Sequence, residues 1–242
     1  MKKILSVIII LFLTGALFGQ TAEEIIKRME SNQIKDTAYS EGKIIVKDRF
    51  GEKITSFNSW TKGEELSLIE FTSRAERGQK ILRTEDVIYV FFPDAEEVMP
   101  IGGAALRDSV VGSDLSYEDM TGDKGLLDSY DVALLGSEAI DGHDCFHITM
   151  KAKSPTVPYP KQDVWVDKKI YAWRLVRKYS LSDRLIKEIK INTIENIEGS
   201  YIPMDMTIQD KLKKNSSTRF IIEKIQFNIK IDESFFSLEE LY

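Results

Sequence analysis

The 242-residue sequence contains one cysteine, Cys145, two histidines, His143 and His147, and six prolines. A single cysteine excludes an internal disulfide, so stability has to come from packing. Two histidines on one short stretch leave few ways to assemble a Ser–His pair or a histidine-rich metal site. There is no basic excess either. The formal net charge of −6 becomes two units more negative once Lys2 and Lys3 are removed, which argues against nucleic acid and against retention on anionic lipid by overall charge. No apolar run reaches the roughly 20 residues that a membrane-spanning helix needs. Internal repeats, low-complexity tracts and domain linkers are also missing.

What is present begins with MKKILSVIIILFLTGALFGQ. Lys2 and Lys3 precede an apolar run, Ile4 to Leu13, of about ten residues, and small residues follow at Gly15, Ala16 and Gly19. This predicts a signal peptide over residues 1–19, cleaved after Ala16 or Gly19, and a periplasmic protein with a single domain over 20–242. An uncleaved anchor is the alternative. The absence of a cysteine after the apolar run argues against lipid anchoring.

TAEEIIKRMESNQ predicts a helix, with Thr21 as N-cap, Glu24 three residues on, and Ile25, Ile26 and Met29 on one face. Segments of about six to twelve residues then alternate apolar and polar positions between turn signals. SEGKIIVKDRF and ITSFNSW read as a hairpin, as do EELSLIEFTS and QKILRTE. VIYVFFP is apolar on both faces and reads as a central strand, whereas KSPTVPYPK reads as a long loop. The expected fold is mostly β (α+β): about 10–11 strands in a single antiparallel sheet. A sheet this long with one apolar face must curl or be covered.

H-D-C-F-H at 143–147 looks most like a reactive site. In a strand, His143, Cys145 and His147 point to one side, roughly 6.8 Å apart at each step, which is too straight a run for one zinc ion to reach all three. GSEAI and GSDLS are not G-x-S-x-G, and GDKG and GGAA lack the strand–glycine–helix setting of a phosphate loop. No catalytic residue, metal site or cofactor is predicted, and the apolar interior remains. It is either a solid core or a cavity for a hydrophobic ligand, to which methionines are well suited.

The order of motifs resembles the outer-membrane lipoprotein-sorting protein superfamily, the LolA-like half-barrels. The resemblance is carried by Ser59-Trp60-Thr61-Lys62-Gly63, VIYVFFPDAEEV, RDSVVGSDLSYEDM, LLGSEAIDGHDC, VWVDKK followed by a strand with Arg174, IEGSYIPMDM and SFFSLEEL. Two places depart from the family pattern. Glu96 and Glu97 stand where related sequences often carry basic residues, and Trp173 stands where proline is common. The resemblance implies an incomplete β-barrel whose concave apolar face is covered by short helices and binds acyl chains, with no cofactor and no catalytic residues.

Strand alternation assigns Ile44, Val46, Phe146, Ile148, Met150, Met204, Met206 and Phe227 to that face as candidate ligand-binding residues. GGAALRDSVVGSDLSYEDMTG, residues 102–122, interrupts the β pattern. Residues 104–122 are predicted to form a helical lid, with a Ser116–Asp119 capping box and Gly122 at its C-terminal end. Leu106, Val110, Val111, Leu115, Tyr117 and Met120 would face the cavity, and Arg107, Asp108 and Glu118 would stay polar. A rigid helical plug completing the core is the alternative. The expected function is a periplasmic carrier of acyl chains toward the outer membrane, with a lipid or acylated lipoprotein as partner, an inner-membrane transporter or exporter as a further one, no nucleic acid, and a monomeric state. An accessory protein of a membrane exporter and an envelope lipid or polymer hydrolase stay open as alternatives.

Overall fold

A computed structural model describes residues 19–84, 87–121 and 125–242. The predicted signal peptide, apart from Gly19, and Gly122 lie outside them. Helix α1, Ala22–Gln33, starts as the sequence implies: the Glu24 amide donates to the Thr21 hydroxyl at 3.2 Å, and the Thr21 amide donates to the Glu24 carboxylate at 3.1 Å. Its buried residues, Ala22, Ile25, Ile26 and Met29, pack into the main core.

The rest is one antiparallel sheet of 13 strands. The first meander comprises β1 Thr37–Asp48, β2 Gly51–Lys62, β3 Leu66–Phe71, β4 Lys80–Thr84, β5 Val87–Phe92 and β6 Glu97–Ile101. The second comprises β7 Tyr130–Ile140, β8 His143–Ala152, β9 Lys161–Asp167, β10 Trp173–Tyr179, β11 Leu185–Ile197, β12 Ser200–Asp210 and β13 Ser217–Phe227. The spatial order runs β6 to β1 and then β13 to β7, joined by the β1–β13 pairing. The sheet is not closed, because β6 and β7 form its two edges. These edges are consecutive in the chain, so the connection between them crosses the concave side.

Alternation explains most of this architecture. Along β1 the buried positions are Gly42, Ile44 and Val46, and along β8 Ile148 and Met150 face the same core. The β7–β8 turn places Asp141 at φ 49° and Gly142 at φ 81°, the left-handed pair that a two-residue hairpin loop needs. Two strand expectations change. Edge strand β6, EVMPI, contains Pro100, which an edge tolerates and which masked it in the sequence. VIYVFFP is β5, next to that edge, and is not central. Its second apolar face is buried because the C-terminal segment folds back over the convex side, where Phe236 and Leu241 form a separate core with Leu68, Leu82 and Phe91.

Gly42 is a close-approach point. A Cβ added there would lie 2.4 Å from the Ile221 carbonyl oxygen and 2.6 Å from the Phe57 ring, which stacks on Phe220 at 5.1 Å between centroids. The carbonyl belongs to the ladder and cannot swing away. Gly42→Ala should therefore cost about 1–3 kcal/mol of stability, read as a lowered thermal midpoint. An unchanged midpoint would show that the β1–β13 junction can spread.

Candidate functional site

The connection from β6 to β7 is a strap over the concave face. It opens with a 3-10 turn, Gly103–Arg107, and reverses at Val111 and Gly112, both with positive φ. The Val110 amide donates to the Leu115 carbonyl at 2.9 Å, and the Leu115 amide donates to the Ser113 hydroxyl at 3.1 Å. The Asp114 amide donates to Thr218 Oγ1 at 2.7 Å, which ties this reversal to β13. Only then does a helix form: α2, Tyr117–Thr121, five residues long. A one-turn helix, α3 Leu126–Ser129, leads into β7.

The predicted continuous helical lid is thus a strap with short helical turns. Serine and aspartate side chains bond the local backbone and compete with the helix. The predicted capping box is present, since the Ser116 amide donates to Asp119 Oδ2 at 2.9 Å and the Asp119 amide donates to Ser116 Oγ at 3.2 Å.

Asp119 also anchors the strap to the sheet. Its side chain is 2% exposed and receives Lys178 Nζ of β10 at 2.8 Å together with Lys187 Nζ of β11. Lys187 donates to the Tyr159 hydroxyl at 3.0 Å, and that hydroxyl lies 3.1 Å from Ser116 Oγ. Burial alone would raise the Asp119 carboxyl, but the two ammonium groups outweigh it and hold the acid well below the usual carboxylate range. For Lys187 burial works downward, and Asp119 with Tyr159 overcomes it to raise the ammonium. Beside this cluster the buried Arg83 guanidinium lies 3.9 Å from the Glu118 carboxylate and donates to Thr121 Oγ1 at 3.2 Å.

Two cavities flank α2. The smaller, about 310 Å³, is lined by Met29, Met150, Val164, Trp173, Val176 and Ile189, with Glu30, Asp119 and Lys178 among its polar groups. Exposed Gly63 and Glu64 also line it, so it opens beside the β2–β3 turn. The larger, about 980 Å³, runs beneath Gly102–Arg107 and the 154–160 loop and ends at Leu181. Glu118 lines both, so α2 is the wall between them.

Of the predicted ligand-binding residues, Met150 lines the smaller cavity. Ile44, Val46 and Ile148 are buried in the core of the same face, and Phe146 and Met206 pack against it. Met204 is buried, and Phe227 is half-buried with Lys35 Nζ 5.7 Å from its ring centroid. In the strap, Val110, Leu115 and Tyr117 enter the core, Val111 and Met120 pack against it, and Leu106 lines the larger cavity. Glu118 differs from expectation: it is buried and not a surface polar group.

The sequence reading missed Lys178, Lys187, Arg83 and Tyr159. The signal was there, because Lys178 shares strand parity with Val176, and Lys187 with Ile189 and Ile191. A lysine in an inward register asks for a partner.

His143, Cys145 and His147 share the opposite, convex face. There Cys145 packs with Trp165 and Leu175, and His147 stacks on Trp165 at 4.3 Å between ring centroids. Burial, then the Asp167 charge, pushes the Cys145 thiol up to about 11.

A family model described as "Uncharacterized protein" matches residues 63–242. The chain belongs to that family. Its fold is LolA-like. It is similar to the crystal structure of a DUF1329 family protein from Desulfovibrio piger, at 25% identity and a TM-score of 0.84 over 90% of this chain and 97% of that one. It shares the fold of a domain described as an outer membrane lipoprotein-sorting protein from Vibrio parahaemolyticus, at 18% identity and TM-score 0.82 over 90% and 97%. A LolA superfamily protein from Nitrosomonas europaea gives 21% identity and TM-score 0.78 over 92% and 100%. No curated protein matches the sequence.

Within this LolA-like sheet the strap's anchor is the sensitive point. Asp119→Asn removes the carboxylate that faces the buried Lys178 and Lys187 ammonium groups and should cost about 3–5 kcal/mol at pH 7. Because folding depresses the Asp119 pKa, its stabilisation is complete above the ordinary carboxylate value of about 3.9 and is lost as pH falls through the depressed one. Urea unfolding between pH 7 and pH 2 should therefore show a steeper loss for wild type than for the variant; parallel curves would remove Asp119 as the anchor. Cys145 offers an independent check of the convex face. Iodoacetamide at pH 8 should modify it at least about a hundredfold more slowly in the folded protein than in urea, and equal rates would contradict its burial.

Proposed function

We propose that the protein is a periplasmic carrier that takes acyl chains of a lipid or lipid-modified protein into the cavities beneath the strap, for transport toward the outer membrane. The observation behind this reading is the pair of cavities on the concave face, with largely apolar walls, roofed by a segment held through a few polar anchors, at Asp119, at Thr218 and at Arg83. Each methylene removed from water contributes about 0.8 kcal/mol, so ten of them give about 8 kcal/mol before ordering costs, the micromolar range. The LolA-like fold and the name of the Vibrio parahaemolyticus relative agree with this chemistry. The strap is the element that must shift to admit a chain, and its few short helical turns suit that role better than a strand of the ladder would.

A fluorescent fatty-acid probe should bind delipidated protein and be displaced by phospholipid or acylated peptide. Leu126 lines the smaller cavity from the one-turn helix α3 and is only partly buried, so Leu126→Trp should fill space without unfolding the sheet. Its expected effect is at least a tenfold loss of probe affinity with a thermal midpoint within a few degrees of wild type. Folded, delipidated protein that takes up no probe would end the carrier reading.

A further inference from the structure

The two most exposed large apolar side chains of the described residues both lie in hairpin turns at one end of the sheet. Leu181, 91% exposed, is in the β10–β11 turn, and Phe50, 82% exposed, is in the β1–β2 turn. Between them, the β12–β13 turn carries Leu212 at 55%. The register places all three turns side by side: Lys47 of β1 pairs with Ser217 of β13, and the Lys211 amide after β12 donates to the Ile186 carbonyl of β11. Adjacent strands lie about 4.8 Å apart, so successive turns sit roughly 10 Å from one another. Scattered exposed leucines are ordinary. Three neighbouring turns with one exposed large apolar side chain apiece form a pattern.

Cations accompany them. Arg49, Arg184 and Lys214 form no ion pair among the described residues, and Arg49 lies over the Phe50 ring with Cζ 4.6 Å from its centroid. Of the acidic neighbours, Asp183 is paired with Lys161 at 2.8 Å, while Asp48 and Asp210 turn back onto the Phe50 and Leu212 amides at 2.7 and 2.8 Å. The opposite end of the same strands is different. Among its described turns, Glu64-Glu65, Asp141-Gly142 and Glu198-Gly199 carry acids, Lys168-Lys169 carries bases with Lys168 paired to Asp144, and none holds a strongly exposed large apolar residue. On a chain with net charge −6, a basic and apolar end is a local exception.

We propose that this end is a docking surface for a bilayer containing anionic lipid. Phe50, Leu181 and Leu212 enter the headgroup region while Arg49, Arg184 and Lys214 meet lipid phosphates. Leu181 also forms the rim of the larger cavity, so docking by this end brings that cavity's mouth to the membrane surface. The surface stands on its own observations, and only its purpose, loading or unloading a chain at the bilayer, rests on the carrier reading.

Flotation with vesicles tests it. Wild-type protein should float with phosphatidylcholine vesicles containing phosphatidylglycerol, and less so in 0.5 M salt, about where screening reaches a few ångströms. The double variant Phe50→Ser, Leu212→Ser, which leaves the cavity rim at Leu181 intact, should lose at least tenfold in vesicle partitioning. It should keep its thermal midpoint and its uptake of the fatty-acid probe from solution, because both side chains lie in exposed turns and line neither cavity. Transfer of a labelled acyl lipid from vesicles should slow in parallel. Wild-type protein that fails to float, or a double variant that floats equally, overturns the docking surface and leaves the carrier reading intact if solution uptake persists. Wild-type self-association abolished by the same substitutions, without flotation, would assign the end to a second copy of the chain and likewise overturn it. Loss of solution uptake in wild type would strike the carrier reading alone.

Discussion

Strands β6 and β7 follow one another in the chain and stand at opposite edges of a 13-stranded sheet. The peptide between them has to cross the whole concave side, and it has to do so over an apolar surface while carrying its own backbone amides and carbonyls. Unpaired backbone groups in such a place are costly. Ser113, Ser116 and Thr218 accept several of those amides, which accounts for the density of small polar residues in the strap. Its apolar side chains then complete the core from above. Closure of the half-barrel is thus a consequence of connectivity as much as of hydrophobic burial.

An apolar plug would have covered the same face without the cost of dehydrating charges. Asp119 instead meets Lys178 and Lys187, which project from paired positions on β10 and β11. Hydrophobic contact tolerates sliding, whereas a carboxylate between two ammonium groups has one position of closest approach. The ion cluster therefore sets where the strap lies along the sheet. Because Glu118 is the preceding residue, the same contact also fixes the wall between the two cavities.

Much of the fold was legible in the sequence because strands with one buried face have a period of two, and because caps and tight turns have chemical signatures. The Thr21–Glu24 and Ser116–Asp119 boxes and the Asp141-Gly142 turn are examples. The failures are equally physical. Pro100 hid an edge strand, and β5 looked central because a segment almost 150 residues later in the chain covers its outer face. The strap was read as helix from its capping signals, while the turn-forming residues at 111–114 broke it into pieces. At the candidate site, counting apolar positions locates the concave face but passes over Lys178 and Lys187, whose inward register asks for a carboxylate without saying which distant one supplies it.

The pairing of β1 with β13 brings Ala38 against Phe227 and closes a loop of nearly the entire domain. Neither meander can acquire its central neighbour until the last strand has been synthesised, and contacts this distant in sequence slow folding. The newborn chain consequently stays without its central seam until β13 emerges. For the periplasmic carrier proposed above, that delay favours passage across the membrane in an unfolded state, with the sheet zipped shut only after β13 arrives.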